Sequence, residues 1–376
     1  MKYLLNKKNI TQNILGWRTN RKLIIIESDD WGSIRMPSRN IYEKLISRGI
    51  KADQCHYMKY DSLASEEDIS FLLELLQKFG KKFKNSPLIT MNSCMCNPDF
   101  KKIEESNYKE YFFQDFIDTL NQYELHSNSF NLWKEGINNQ LLFPQFHCRE
   151  HLNVKRWLNS LQKGSKDTLL GFKYRMYGIS NHVSNEDRKS LMAAFDFDEI
   201  EEIEYQKKII AEGLNIFNKI FDYKSHSFMP PNYTWHPYLE DSLIREEVKY
   251  IQGASIQRIP SINESAIKRH YLGQVSNDNL IYLLRNCRFE PASNTNKDWV
   301  DSCLAEIRSA FFFKKPAIIE SHRVNYIGYI NNLNRDRNLK SLEKLLTSIF
   351  KIWPDVEFIN SVQLGNLISR SYGKQY

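Results

Sequence analysis

The feature that most constrains this chain is a regular alternation of short apolar runs with longer amphipathic stretches. The first run, at residues 23–26, has four consecutive large aliphatic residues, which is typical of a buried strand. Similar runs follow at residues 87–91, 141–146, 225–229, 248–252, 279–284, 316–319 and 356–359. Because strands that alternate with helices form parallel sheets covered by those helices, the sequence predicts an α/β fold.

Amphipathic stretches between these runs predict helices at residues 66–79, 108–123, 199–221, 299–313 and 337–352. Ser65 and Asp336 are suitable N-cap residues for the first and last of them. Repeated β/α units in one chain favour a barrel over an open sheet. We therefore expect residues 1–376 to form a single distorted (β/α)7-type barrel, with a helical insertion around residues 154–223.

Composition excludes several classes of protein. Hydrophobic residues make up 41% and aromatic residues 13% of the chain, which is enough for a large core and excludes general disorder. The net charge is +7, but the lysines are scattered, so we expect no nucleic-acid partner. No run approaches the roughly 18 apolar residues that a membrane span needs. Nothing in the sequence indicates the oligomeric state.

The cysteines and the N-terminus bear on the cellular location. Six cysteines form neither a CxxC pair nor a dense disulfide framework, which favours a reducing compartment. Residues 1–17 have neither the apolar region nor the small-residue cleavage site of a signal peptide. These features predict a cytoplasmic location.

Two acidic residues, Asp29 and Asp30, follow the first apolar run, and Trp31 comes directly after them. In a parallel barrel, the chemistry lies on the loops that leave the carboxyl ends of the strands. A carboxylate pair at the end of a buried strand is costly unless a cation or hydrogen bonds compensate it. The pair is therefore a candidate metal ligand beside a general base, and the alternative is a helix cap with a turn residue.

Two histidines, His147 and His151, follow another apolar run and are four residues apart, so both can face the same metal ion. Two imidazoles and one carboxylate suit Zn²⁺ or another divalent ion such as Co, Ni, Fe or Mn. With Glu150 they also fit the H-x-x-E-H pattern of some zinc proteases, which requires a helix. Here the motif begins at a strand end instead.

Later strand ends carry further candidates. His322 follows the run at 316–319 and could act as a general acid. Asp298 could orient that histidine, although a helix cap is the simpler role for it. Tyr233 and Trp235 follow two consecutive prolines and, like Trp31, offer flat faces on which a sugar could stack.

Taken together, these motifs resemble the polysaccharide deacetylases of the NodB-homology type, carbohydrate esterase family 4. The resemblance covers residues 23 to about 325. It is carried by Asp29-Asp30 after the first strand, by His147 and His151, and more loosely by the segment 229–233, by Asp298-Trp299 and by His322.

The resemblance implies a deacetylase barrel that hydrolyses an N-acetyl or O-acetyl group on a sugar or polysaccharide. It implies that Asp30, His147 and His151 bind one divalent metal ion, most simply Zn²⁺. In the same way it implies that Asp29 is the catalytic base and His322 the catalytic acid. Trp31, Tyr233 and Trp235 would then bind the carbohydrate substrate.

One departure from the family pattern concerns the arginine that braces the base. The sequence has Met229 at that position, and Arg285, Arg288 or Arg149 could substitute for it. Two alternatives remain open at this point. One is a catalytically inactive barrel that binds carbohydrate, and the other is a glycoside hydrolase that uses Asp29 and Glu290.

Overall fold

The strands of the sheet lie where the apolar runs predict them. A computed structural model describes residues 7–82, 86–184, 186–263 and 265–373, so residues 1–6 of the N-terminal stretch lie outside it. Its strands are β1 (Leu23–Trp31), β2 (Ile89–Cys94), β3 (Cys96–Pro98), β4 (Phe113–Asp115), β5 (Leu142–Cys148), β6 (Ser227–Phe228), β7 (Tyr250–Gly253), β8 (Ile256–Ile259), β9 (Ala266–Arg269), β10 (Ile281–Leu284), β11 (Cys287–Arg288), β12 (Ala317–His322) and β13 (Glu357–Phe358).

Helices separate most of these strands. They are α1 (Lys7–Ile14), α2 (Arg39–Ser47), α3 (His56–Tyr60), α4 (Glu66–Lys82), α5 (Phe100–Glu105), α6 (Phe116–Leu120), α7 (Ser129–Asn138), α8 (Val154–Gln162), α9 (Lys166–Lys173), α10 (Glu202–Phe221), α11 (Glu240–Arg245), α12 (Trp299–Phe312), α13 (Asn332–Ile352) and α14 (Ser361–Ser371). Short 3-10 turns lie at Ala52–Gln54, Pro231–Tyr233, Pro237–Leu239 and Arg323–Asn325. Within the described ranges, no helix has both the length and the apolar character needed to cross a bilayer.

The main sheet is parallel and curls into a half-barrel surrounded by helices. Its strand order is β10-β7-β6-β5-β2-β1-β12-β11, and β13 pairs with the start of β1. Two small antiparallel hairpins, β3–β4 and β8–β9, stand apart from it. The α/β-barrel prediction is confirmed, although the barrel is open between β10 and β11 within the described part of the chain.

Strand β1 is buried along its whole length because both of its faces are covered. Leu23 and Ile25 pack with Ile281 and Leu283 of β10 and with α14 in one apolar cluster. Ile24 and the other side chains of opposite orientation belong to the large cluster under the outer helices. Side chains of a strand alternate between faces, so Glu27 and Asp29 continue the face of Leu23 and Ile25.

Two local predictions need correction. The helix expected at 108–123 is instead β4 followed by the short α6, because β4 pairs with β3 and the Asp115 side chain caps α6. Helix α13 begins at Asn332 with Asn331 as its cap, so Asp336 lies inside the helix. Ser65, in contrast, is confirmed as a cap residue, since its hydroxyl accepts the Asp68 amide at 3.3 Å.

The segment predicted as an insertion contains three helices with different roles. Helix α10 packs across β5 so closely that a Cβ on Gly213 would lie 2.8 Å from the Phe146 ring. That contact identifies α10 as the crossover helix between β5 and β6. The remainder, α8, α9 and the loop up to residue 201, lies between β5 and this crossover helix in the chain. Its status as an insertion in a single domain stays a prediction.

A substitution at Asp298 separates its two predicted roles. In the structure its carboxylate accepts the Asp301 amide at 2.9 Å and caps α12. We expect Asp298→Ala to lower the free energy of unfolding by about 1 kcal/mol, measured by urea denaturation. Asp298→Asn is the matched control and should retain most of the stability. A change in the titration of His322 in either variant would contradict a purely capping role.

Candidate active site

The carboxyl ends of three strands meet at one cavity of about 360 Å³. Asp29 and Asp30 reach it from β1, His147 and His151 from the end of β5, and His322 from the end of β12. This convergence was expected because each of these motifs follows a predicted strand, and the carboxyl ends of the strands of a parallel barrel meet at one rim. The structure therefore brings together all five residues expected to carry out the chemistry.

An irregularity at the end of β1 lets two consecutive residues face the same cavity. Asp30 has a left-handed backbone with φ of 74°, and the pairing with β2 shifts register between Ser28 and Trp31. A regular strand would point Asp29 and Asp30 to opposite faces. The bulge removes that alternation, and aspartate tolerates the left-handed conformation better than most residues.

Asp30, His147 and His151 form a group with the spacing of a metal site. Their potential ligand atoms all lie within 4.8 Å of one another, and all three side chains are buried. The Asp30 Oδ1 atom is 3.3 Å from His151 Nε2 and 3.6 Å from His147 Nε2. Two imidazole nitrogens and one carboxylate oxygen, with further positions open, are a suitable donor set for a catalytic divalent ion.

The hydrogen bonds of His147 provide a direct test of this fit. Its Nδ1 lies in hydrogen-bonding contact with the Met229 carbonyl oxygen, so Nδ1 carries the proton. Its Nε2 is buried without a hydrogen-bond partner and faces Asp30. A lone pair facing a carboxylate needs a cation between them, either a proton or a metal ion. The residues present therefore fit a divalent ion.

Charges around the group agree with ligand roles. Burial, which outweighs the attraction of Asp30, lowers the pKa of His151 to about 3, so this imidazole is neutral and able to bind a metal. Burial alone would raise the pKa of Asp30, but the charge of Arg35 holds it well below its usual value. The Arg35 guanidinium lies 3.2 Å from the Oδ2 atom of Asp30 and leaves Oδ1 to the histidines.

A second group with metal-ligand potential shares one of these histidines. Cys94, His147 and Cys148 also have potential ligand atoms within 4.8 Å, and the two sulfur atoms are 3.2 Å apart. Burial and the contact with Cys94 raise the pKa of the Cys148 thiol well above its usual value. The unpartnered Nε2 of His147 faces Asp30, so the group with Asp30 is the better candidate metal site.

Arg285 supplies the brace for Asp29 that Met229 cannot. Its Nη2 and Nη1 atoms donate to Asp29 Oδ1 at 2.6 Å and to Oδ2 at 2.7 Å, and the Asn92 amide donates to Oδ1 at 2.7 Å. Against the effect of burial, the charge of Arg285 lowers the pKa of Asp29 to about 2. Asp29 is therefore ionised at neutral pH.

The other two arginines considered for this role are engaged elsewhere. Arg288 pairs with Glu320 at 3.1 Å, and Arg149 pairs with Glu150 at 2.6 Å. The pairing of Glu150 also removes the residue that a zinc protease would need as its base. Strand β5 ends at Cys148 and α8 starts only at Val154, so the H-x-x-E-H segment does not lie in a helix.

His322 lies between two carboxylates. Its Nδ1 is 2.6 Å from Glu290 Oε1, and its Nε2 is 3.7 Å from Asp29 Oδ2. Burial alone would lower its pKa, but Glu290 and Asp29 raise it to about 10. The residue that orients this histidine is therefore Glu290, whereas Asp298 caps α12, which is the simpler of the two roles considered for it.

The three aromatic residues predicted to bind sugar occupy different positions. Trp31 is fully buried, stacks on Tyr326 and meets Trp133 edge to face. Trp235 is also in the core. A buried indole has no free face for a sugar, so neither position agrees with the predicted role. Tyr233 does line the cavity, and its hydroxyl donates to Glu320 at 2.6 Å.

The sequence offered Arg285 only as one of three candidate arginines and Glu290 only as a carboxylate of the glycoside-hydrolase alternative. It did not single out Asn92 or Arg35. Arg285 directly follows an apolar run, so the strand-end rule applied there would have singled it out. Asn92 is a polar residue inside the buried strand β2, which is also a usable signal. For Glu290 and Arg35 we find no local signal, because only the fold brings them to His322 and Asp30.

Comparison with solved structures supports the fold. A provisionally named glycoside hydrolase/deacetylase from Parabacteroides distasonis matches 95% of this chain and 73% of its own, with a TM-score of 0.50 and 11% identity. At this identity the match shows the α/β barrel of the deacetylase kind and nothing about activity. No protein-family model and no curated protein matches the sequence.

Two further solved structures match with lower TM-scores. A provisionally named polysaccharide deacetylase from Mycobacterium smegmatis covers 96% of this chain and 94% of its own, at a TM-score of 0.45 and 10% identity. A family 4 carbohydrate esterase pseudoenzyme from Bacillus anthracis covers 92% and 66%, at a TM-score of 0.40 and 9% identity. Scores at this level carry no argument about function.

Removing the charge of Glu290 should lower the pKa of His322. We expect Glu290→Gln to shift the imidazole titration down from about 10, measured by NMR of labelled histidines. The raised pKa stabilises the folded state fully below the unfolded value near 6.5, and this contribution is lost as pH rises through about 10. Glu290→Gln should therefore lower the free energy of unfolding mainly at pH values below about 10. An unchanged titration, with Asp298→Asn as control, would refute the pairing.

Proposed function

We propose that this protein is a metal-dependent hydrolase that removes an acetyl group from an N-acetylated or O-acetylated sugar or polysaccharide. The observation that carries the proposal is the site around β1. There the buried group of Asp30, His147 and His151 lies beside a carboxylate, Asp29, and an imidazole, His322. This arrangement provides a cation site, a base and an acid within one cavity.

Asp30, His147 and His151 would hold one divalent ion, with Zn²⁺ favoured by the nitrogen-rich donor set and Co, Ni, Fe or Mn as alternatives. When bound, such an ion polarises a carbonyl group and lowers the pKa of a water molecule. The Met229 carbonyl fixes the ring of His147, and Arg35 holds the second oxygen of Asp30. These contacts keep the donor atoms in place.

Asp29 is the proposed base. Since its carboxylate is ionised and held by Arg285 and Asn92, it can accept a proton from the attacking water without changing its orientation. The bidentate contact with Arg285 also supplies the positive charge that keeps Asp29 ionised inside the protein. This interaction argues against the inactive-barrel alternative, which was motivated by the absence of an arginine at Met229.

His322 is the proposed acid. Glu290 keeps the ring protonated at neutral pH, and the Nε2 proton faces Asp29 and the cavity. It can therefore protonate the amine or alcohol that leaves the acetyl group. The same ring lies between Asp29 and Glu290, which leaves no room for a sugar between these carboxylates. The glycoside-hydrolase alternative, which needs them on opposite sides of a glycosidic bond, is thereby disfavoured.

Two substitutions at the end of β1 separate the metal role from the base role. We expect Asp30→Ala to lose stoichiometric metal, measured by elemental analysis after Zn²⁺ loading and desalting. Asp29→Asn should keep the metal and lower the rate of acetate release by about 10²–10⁴-fold. Metal bound equally well by Asp30→Ala and the wild type would overturn the ligand assignment.

Acetate release from a panel of acetylated sugars tests the reaction itself. The panel should contain N-acetylated and O-acetylated mono- and oligosaccharides, and each assay should be repeated after treatment with a chelator. We expect release that the chelator abolishes and Zn²⁺ restores. If the protein instead cleaves a glycosidic bond and this activity persists in the presence of the chelator, the glycoside-hydrolase alternative would be favoured. Retained metal without release from any sugar would favour the inactive barrel.

A further inference from the structure

Arg188 differs from the other arginines of limited exposure in the described part of the chain. It lies on the loop between α9 and α10 and lines the cavity, with 12% of its side chain exposed. The others each have a carboxylate oxygen at 3.2 Å or less, and they are Arg35, Arg149, Arg156, Arg285, Arg323 and Arg335. Arg188 has none at that distance.

The contacts of Arg188 leave its charge without close compensation. Its two terminal nitrogens donate to neutral acceptors, the Asn181 side-chain oxygen and the Ile179 carbonyl. Its Nε is buried without a hydrogen-bond partner. The nearest carboxylate, on Glu186, is 3.8 Å from Nε and accepts a hydrogen bond from the Ser165 hydroxyl. Neutral contacts position the guanidinium but do not neutralise it.

Arg35 is a useful comparison because it lines the same cavity with nearly equal exposure, 14%. It lies 3.2 Å from Asp30 and 3.3 Å from Asp61. For Arg188 burial prevails over Glu186 and lowers the pKa. Arg35 thus has two carboxylates within 3.3 Å, whereas the nearest carboxylate to Arg188 is 3.8 Å away.

The acidic residues of the cavity cannot supply that anion, because each already has an arginine partner. The three pairs are Asp29 with Arg285, Asp30 with Arg35, and Glu320 with Arg288. His322 adds a further positive charge to the wall. The cavity thus has, on the loop between α9 and α10, a cation whose nearest carboxylate is 3.8 Å away.

From this imbalance we propose that Arg188 binds an anionic group, a carboxylate or a phosphate, on the acetylated sugar that enters the cavity. The inference rests on the proposed deacetylase function and adds the charge of its substrate. A guanidinium presents parallel donors that match the oxygens of either group. Arg188 lies on the loop and not at a strand end, so the anionic group would be separate from the acetyl group that reacts.

The test is equilibrium binding to the full-length Asp29→Asn protein, which is expected to bind sugar without turning it over. Isothermal titration would use N-acetylglucosamine 1-phosphate, an N-acetylated aminouronic acid and uncharged N-acetylglucosamine as probes. We expect at least one charged probe to bind about tenfold more tightly than the uncharged one, since charge-assisted hydrogen bonds are strong. The phosphate and uronate arms identify which anion is preferred.

Substitution of Arg188 then tests whether this residue causes the preference for charged over uncharged probes. In the Asp29→Asn background, Arg188→Gln should reduce it to about twofold or less, and Arg188→Lys should retain part of it because the charge remains. Arg175→Gln, which removes an exposed guanidinium from outside this cavity, is the matched control and should keep it. If Arg188→Gln fails to fold, the lysine variant and the loss of preference at high salt still test the charge.

Equal binding of charged and uncharged probes, or a preference that survives in folded Arg188→Gln, would overturn the proposal. Its failure is distinguishable from failure of the proposed function. A charge preference that depends on Arg188, without acetate release from any sugar by the wild type, would leave the anion site standing and remove the deacetylase. Acetate release without any preference for charged probes would support the deacetylase and remove the anion site.

Discussion

The site depends on the ion pairs that Arg285 makes inside the barrel. Its guanidinium donates to Glu27 at 2.6 Å and to both oxygens of Asp29, and all three side chains are buried. Burying these two carboxylates without a cation would cost too much free energy for a stable fold. The loss of one partner from a buried ion pair typically costs about 3–5 kcal/mol of stability. Arg285 comes from the end of β10, which is several strands away from β1 in the sheet, so its side chain crosses the interior. The same contact therefore closes the core and orients the proposed base.

The interior is arranged in layers along β1. Leu23 and Ile25 pack on Ile281 and Leu283 in an apolar layer, and the next residues on the same face are Glu27 and Asp29, which meet Arg285. The change from apolar contacts to ion pairs marks the transition from core to site. At Asp30 the bulge breaks the alternation and directs a second carboxylate to the histidines of β5. Each of these adjacent aspartates has an arginine partner, but only Asp30 also faces the imidazole pair, and the two therefore have different proposed roles.

Much of the architecture could be predicted because the signals are local. A run such as 23–26 needs burial on both faces, and only a covered parallel sheet provides it. The strand-end rule then selected Asp29, Asp30, His147 and His322. Prediction failed where tertiary contacts decide the outcome. Trp31 resembles a ligand-binding residue in the sequence, yet the neighbouring Trp133 and Tyr326 enclose it. The helix expected at 108–123 gave way to a strand because pairing with β3 outweighed helical periodicity.

The sequence by itself determined the parallel α/β barrel and the residue types at its strand ends, because apolar periodicity and short motifs act over a few residues. The tertiary structure alone decided which groups are partners. Glu290 reaches His322 from the loop after β11, Arg285 replaces the missing arginine at Met229 from across the barrel, and the nearest carboxylate to Arg188 is 3.8 Å away. These relations depend on distances between residues far apart in the chain, and Coulomb energies in a buried site change steeply with such distances.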